Sequence, residues 1–182
     1  MDESLTGDDG ELDAATADAL RARRGDAAAA TAFVRATQSD VWRLCAHLGT
    51  HGAADDLTQE TYARAFASLH RFAGRSSART WLLSIARRVC ADAVRAAVRA
   101  RATDVAAPGN APDLAESVAL HAMLAALDPQ RREAFVLTQL VGMSYAEAAD
   151  VCSCPVGTIR SRVARARDDL VEAFGDGRRR AV

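Results

Sequence analysis

At 182 residues the chain is long enough for one ordinary domain or two small ones. Hydrophobic residues make up 49% but aromatics only 5%, a mix that favours helices over sandwiches and barrels, which draw on β-branched and aromatic side chains. The formal net charge of -1 excludes a uniformly basic protein, so any affinity for nucleic acid has to come from where the charges lie.

In chain order, residues 1–12 read as a disordered acidic tail: Asp2, Glu3, Asp8, Asp9 and Glu11 meet no basic residue there. Helical patterning starts near Asp13. A long helix is predicted over Asp26 to Leu48, with Phe33, Val34, Val41, Leu44 and Leu48 at helical spacing. "THGAAD" breaks it. A second helix runs from about Ala54 to Leu69 on Leu57, Tyr62, Ala65, Phe66 and Leu69. "HRFAGRSS" then reads as a loop, and a third helix spans about Ala78 to Ala100. "RATDVAAPGNAPD" (101–113) holds two of the four prolines and reads as a linker between two domains. Helices follow near 114–127, 129–141, 145–151 and 155–173. Asp128 can cap with Pro129 in the first turn, Ser144 and Glu147 match a capping box, and Pro155 reads as another first-turn proline. No strand candidate survives.

Eight arginines against one acid, Asp92, fall between Arg71 and Arg101. With no lysine in the chain, every basic contact except those of histidine is a guanidinium, suited to forked bonds with phosphate or guanine. On a wheel of about 100° per residue, Trp81, Arg88, Asp92, Arg95 and Arg99 fall within about 60° of one another. Leu82, Ile85, Val89, Ala93 and Ala96 form the adjacent apolar face. Guanidiniums interleaved with an indole suit partly opened nucleic acid. The plainer alternative is a solvated polar face with Trp81 in the core. Upstream, Asp55, Asp56, Gln59 and Glu60 form a polar cluster that complements the dipole of its own helix start and also fits a partner with a basic surface.

"SYAEAADVCSCPVGTIRSRVARARDDL" has a short helix, a tight break and a longer helix, the layout of a helix-turn-helix. Val156, Ile159, Val163, Leu170 and Phe174 make the inward stripe of the second helix. Thr158, Ser161, Arg165 and Asp168 face outward, with Arg160 and Arg162 at the margins and Arg167 near the packed side. DNA reading is favoured over a bundle helix with a basic side. Other constellations are weak. His47 and His51 lie four apart but lack a third ligand nearby and any Glu-x-x-His signature. The four cysteines (45, 90, 152, 154) have no CxxC spacing and read as reduced thiols in a cytoplasmic protein. No signal peptide and no apolar run of about 20 residues appears, so no membrane insertion is expected.

"DDLTQETYARAF", "RSSARTWLLSIARRVCADAVR" and "LDPQRREAFVLTQLVGMSYAEAADVCSCPVGTIRSRVARARDDL" together resemble the bacterial sigma factors of the extracytoplasmic function (ECF) group, in order and separation, over about residues 26–174. The last piece looks especially like actinobacterial members. The resemblance implies an all-α fold of two helical domains, sigma-two (13–100) and sigma-four (114–175), joined by a flexible linker (101–113), with a tail at 176–182. It implies no cofactor, no metal and no enzyme activity of its own. The implied partners are core RNA polymerase, through its β′ clamp helices and β flap, promoter DNA, and a separate anti-sigma factor. Asp55, Asp56, Gln59 and Glu60 match the family's polymerase contacts. The 70–77 loop and the helix after it would recognise and melt the minus-ten element, with Phe72, Arg75, Trp81, Arg88, Asp92, Arg95 and Arg99 as candidates. The family often has asparagine where Arg88 stands. Arg160, Ser161 and Arg165 match minus-thirty-five contacts, with Thr158 and Arg162 on phosphates. The competing readings are a stand-alone regulator using the same helix-turn-helix, and a small metal enzyme on His47 and His51.

Overall fold

A computed structural model describes the backbone of residues 13–103 and 115–180; the expected acidic tail and most of the expected linker lie outside the described residues. All regular structure among them is helical. The N-terminal half holds α1 (Ala14–Ala22), α2 (Ala27–Leu48), α3 (Ala54–Ser68) and α4 (Ala78–Thr103). The C-terminal half holds α5 (Ala115–Ala126), α6 (Pro129–Phe135), α7 (Tyr145–Cys152) and α8 (Val156–Arg180).

Capping chemistry sets most boundaries. Asp13 and Asp26 accept backbone N–H bonds at the starts of α1 and α2. Asp128 caps α6 ahead of Pro129, and Ser144 with Glu147 forms the reciprocal capping box of α7. Pro155 stands just before α8 and its carbonyl accepts from the Thr158 N–H, so α8 begins one residue later than the sequence suggests. The helix expected over 129–141 is not uniform: its second half, Val136–Leu140, widens into one π-helical turn. At the end of α2, Gly49 needs space rather than special torsions. A Cβ there would collide with the Leu57 side chain and the Cys45 carbonyl, where α2 meets α3.

In the N-terminal half, Phe33, Val41 and Leu44 of α2 are buried with Leu57 and Ala65 of α3 and Leu82 and Val89 of α4. The expected apolar sets hold except at a few positions. Phe66 turns out 40% exposed, because α3 packs through Leu57, Thr61 and Ala65. Ala96 is exposed beyond the reach of α2 and α3. Leu83 and Cys90 are buried on a second side of α4; Cys90 meets Cys45 of α2, and α4 also packs on α7. In the C-terminal half, Ile159, Val163 and Ala166 carry α8 onto α6 and α7, while Val156 at its first turn stays 37% exposed. Phe174 lies outside the described side chains.

The two halves share one continuous apolar core. Polar bonds seal the contact. Arg79 donates to Asp40 Oδ2 at 2.7 Å and to the Val141 carbonyl at 2.8 Å, and Arg87 donates to Glu133 Oε1 at 2.5 Å. The His51 and His121 rings meet edge-on, 5.3 Å between centroids.

Candidate nucleic-acid interface

The 70–77 loop is fixed from both ends. Arg23 donates to the Phe72 carbonyl at 2.7 Å. The Ala78 N–H donates to the buried Thr16 hydroxyl at 2.7 Å, and Ser77 Oγ accepts from the Thr80 N–H at 3.1 Å. Helix α1 thus helps start α4. This anchoring draws Phe72 into the core, 3% exposed, where its ring lies 4.9 Å from that of Trp81. Of the two aromatics expected to meet an opened base, only Trp81 keeps part of its ring at the surface; Phe72 backs it. Arg75 and Arg88 are exposed.

The rest of the stripe is wired to α3. Arg64 donates to Asp92 Oδ2 at 2.8 Å and to Glu60 Oε1 at 2.7 Å, and Arg95 donates to Asp92 Oδ1 at 2.5 Å. Bonds from Arg64, then from Arg95, hold the Asp92 carboxyl below the usual carboxylate range. Asp92 therefore organises guanidiniums across two helices. Arg99 lies beyond it on the exposed end of α4. Asp55, Asp56, Gln59 and Glu60 are all exposed on the first turns of α3. Sequence reasoning missed their neighbour Trp42, 46% exposed, whose indole N–H donates to Asp55 Oδ1 at 2.8 Å. The available signal was its position on α2, off the stripe formed by Val41, Leu44 and Leu48. Arg79 was missed as well, and no spacing rule announces a contact made between halves.

Between α7 and α8 the chain turns at Ser153, left-handed at φ 52°, ψ 48°. The Cys154 N–H then closes back on the Ala149 carbonyl at 3.0 Å. This turn aims the first half of α8 outward. Arg160, Ser161 and Arg165 are exposed there and Thr158 is half-buried. Arg162 is drawn aside, donating to Gln130 Oε1 at 2.7 Å. Arg167 donates to Gln139 Oε1 at 2.8 Å, tying α8 to the π-helical turn. Arg131 donates from one guanidinium nitrogen to both carboxylate oxygens of Asp169, at 2.8 and 3.0 Å, bracing α6 on α8.

The thiols are unpaired, and three of the four are buried. Burial and the Glu133 carboxylate push the Cys152 thiol up to about 12, so it stays protonated. Burial, with His121 nearby, lowers His47. No group of three or more His, Cys, Asp or Glu among the described residues is placed to hold a metal. No helix among them is long and apolar enough to cross a membrane.

Comparison with known proteins agrees with this arrangement. The family model for sigma-70 region 2 matches residues 33–101, and that for sigma-70 region 4 matches residues 117–170. The ECF RNA polymerase sigma factor SigC of Mycobacterium tuberculosis is 53% identical over 167 residues, covering 87% of this chain and 90% of the relative. The ECF sigma factor EcfG of Rhodopseudomonas palustris is 37% identical over 67% of this chain and 71% of its own. Among solved structures, CnrH in complex with the cytosolic domain of CnrY superposes with a TM-score of 0.76 at 28% identity, covering 90% of this chain and 99% of that one. The sigma factor RpoE of Bartonella quintana, in complex with the anti-sigma factor NepR, gives 0.66 at 28% identity, over 78% of this chain and 94% of that one. Region 2 falls on α2 to α4 and region 4 on α5 to α8, and the chain belongs to the ECF group of RNA polymerase sigma factors.

Proposed function

We propose that the chain works in the cytoplasm as a non-enzymatic specificity subunit, with residues 13–100 and 114–175 as its two working domains. The exposed start of α3 docks on the β′ clamp helices of core polymerase through Asp55, Asp56, Gln59 and Glu60, and the C-terminal domain reaches the β flap. The 70–77 loop and α4 bind the minus-ten element, with Arg75, Arg88, Arg95 and Arg99 on the backbone and Asp92 holding Arg95 in place. Trp81, backed by Phe72, stacks at the edge of the melted segment. The first half of α8 enters the major groove at the minus-thirty-five element. There Arg160, Ser161 and Arg165 face bases, and Thr158 and Arg162 face phosphates. A separate anti-sigma factor is the expected antagonist, as RpoE of Bartonella quintana has NepR.

The observation that carries this reading is the exposed face of α8. Arg160 and Arg165 stand free of ion pairs with other described residues on a half-helix that the Ser153 turn points outward. The test is a pull-down with core polymerase, paired with a mobility shift of the chain alone on promoter duplex. Stoichiometric capture by core and weak duplex binding alone are expected. Tight, specific duplex binding without capture by core would instead favour a stand-alone regulator.

A further inference from the structure

Two of the three carboxylates at the start of α3 are already engaged within the chain. Glu60 accepts from Arg64 at 2.7 Å. Asp55 accepts from the indole N–H of Trp42 at 2.8 Å, across the seam between α2 and α3. Trp42 stays almost half exposed, although Val41 beside it and Leu44 below it are fully buried. Its ring lines an open groove of about 670 Å³ on that seam. Gln38 and Arg43 of α2 and Asp55, Thr58 and Gln59 of α3 are among the other walls. Arg43 is turned toward Asp40, 3.6 Å away.

We propose that Trp42 is the aromatic anchor of the polymerase-docking surface, and that Asp55 serves that surface by holding the indole in place. The inference rests on the reading of the α3 start as the polymerase contact and adds a residue to it. A partner that covers an indole must ordinarily supply an acceptor for its N–H, or leave a buried donor unsatisfied. Here Asp55 already supplies one, so an apolar surface can cover the ring without that cost. The same bond orients the ring before contact, so little side-chain freedom is lost on docking. Tryptophan is among the residue types that dominate interface energies when seated in a desolvated pocket. The occupant is core polymerase, because the groove is continuous with that surface: Asp55 and Gln59 belong to both. DNA is disfavoured, since Asp55, Asp56 and Glu60 on the same helix start repel phosphates. Pairing this patch with a second copy of itself would set those same carboxylates against one another.

The experiment measures competition between labelled and unlabelled full chain for core polymerase, with the self-association of each chain followed alongside. Trp42→Ala should weaken capture about thirtyfold. Trp42→Phe should lose less, because much of the ring face remains. Asp55→Ala alone should weaken capture about tenfold, yet by less than about twofold in the Trp42→Ala chain, where no indole is left to hold. Arg24→Gln, an exposed charge on the turn between α1 and α2, should leave capture unchanged. If Trp42→Ala loses helix content, Trp42→Gln must show the weakening instead. Equal capture of folded Trp42→Ala and the unmodified chain would overturn the inference and leave the promoter reading standing. Additive losses from the two substitutions would overturn it too, as the mark of two independent contacts. So would self-association abolished by Trp42→Ala with capture intact, which would give the patch to a second copy. An unmodified chain that core polymerase does not capture at all would overturn the promoter reading itself.

Discussion

Arg165 stands on the outward face of α8, whereas Arg167, two residues on, donates to Gln139 and braces the helix against the π-helical turn. The two arginines should therefore fail differently. Arg165→Ala should relax the minus-thirty-five preference by about 1–3 kcal/mol, read as the spread of transcription across promoters mutated in that element. Unchanged discrimination would remove Arg165 from base contact. Arg167→Ala should leave that spread intact and lower stability by about 1 kcal/mol. Trp81 offers a second contrast. Its ring rests on Phe72, which fixes its orientation but leaves part of it at the surface. Trp81→Ala should reduce promoter opening more than closed-complex binding, seen as lost permanganate reactivity at equal DNA occupancy. Normal reactivity would place the wedge elsewhere. The inward stripe of α8 could be read from spacing at Ile159 and Val163, because apolar periodicity survives folding. The ion pairs of Arg64 with Asp92 could not, because they join residues 28 apart in sequence on different helices.

At the scale of elements, the α7 to α8 turn is the joint that aims the reading helix. Ser153 adopts the left-handed region without being glycine, a conformation that costs an L-residue roughly 1–2 kcal/mol. Ser153→Gly should relieve part of that, raising stability by up to about 1 kcal/mol in denaturant melts. A loss of stability would mean that the serine side chain does more than tolerate the turn. Ser144→Ala should cost about 1 kcal/mol, since it breaks the capping box that starts α7. The Ser144 cap was legible as a short motif; the left-handed turn at Ser153 was not. Nor was the second buried side of α4. Leu83 and Cys90 look like a widening of one apolar stripe until Cys45 and α7 are placed beside α4. Phe72 was illegible for a different reason: a loop residue has no period, so nothing in the sequence says which way it points.

Over the whole molecule, the surfaces assigned to the two promoter elements belong to halves that pack against each other through Arg79 and Arg87. Elements named minus-ten and minus-thirty-five are about 25 base pairs apart, or roughly 85 Å at 3.4 Å per step. A chain reading both at once must let α4 part from α6 and α7. Arg79 is the polar centre of that contact, holding Asp40 and the Val141 carbonyl with Glu147 4.0 Å away. Arg79→Ala should enlarge the chain in small-angle scattering, with helix content unchanged. An unaltered radius of gyration would show that the apolar contact alone suffices. The two-domain, all-helical plan could be read from the linker composition and from three ordered motifs. How the domains sit on one another could not, because Arg79 and Val141 are 62 residues apart and share no motif.

The central claim is that this chain gives core polymerase its choice of promoter, and run-off transcription on native templates measures that choice. Core polymerase alone should give no discrete product. Adding the full chain should give discrete start sites that disappear when either upstream element is mutated. Capture of the chain by core polymerase without any promoter-dependent product from any native template would contradict the account.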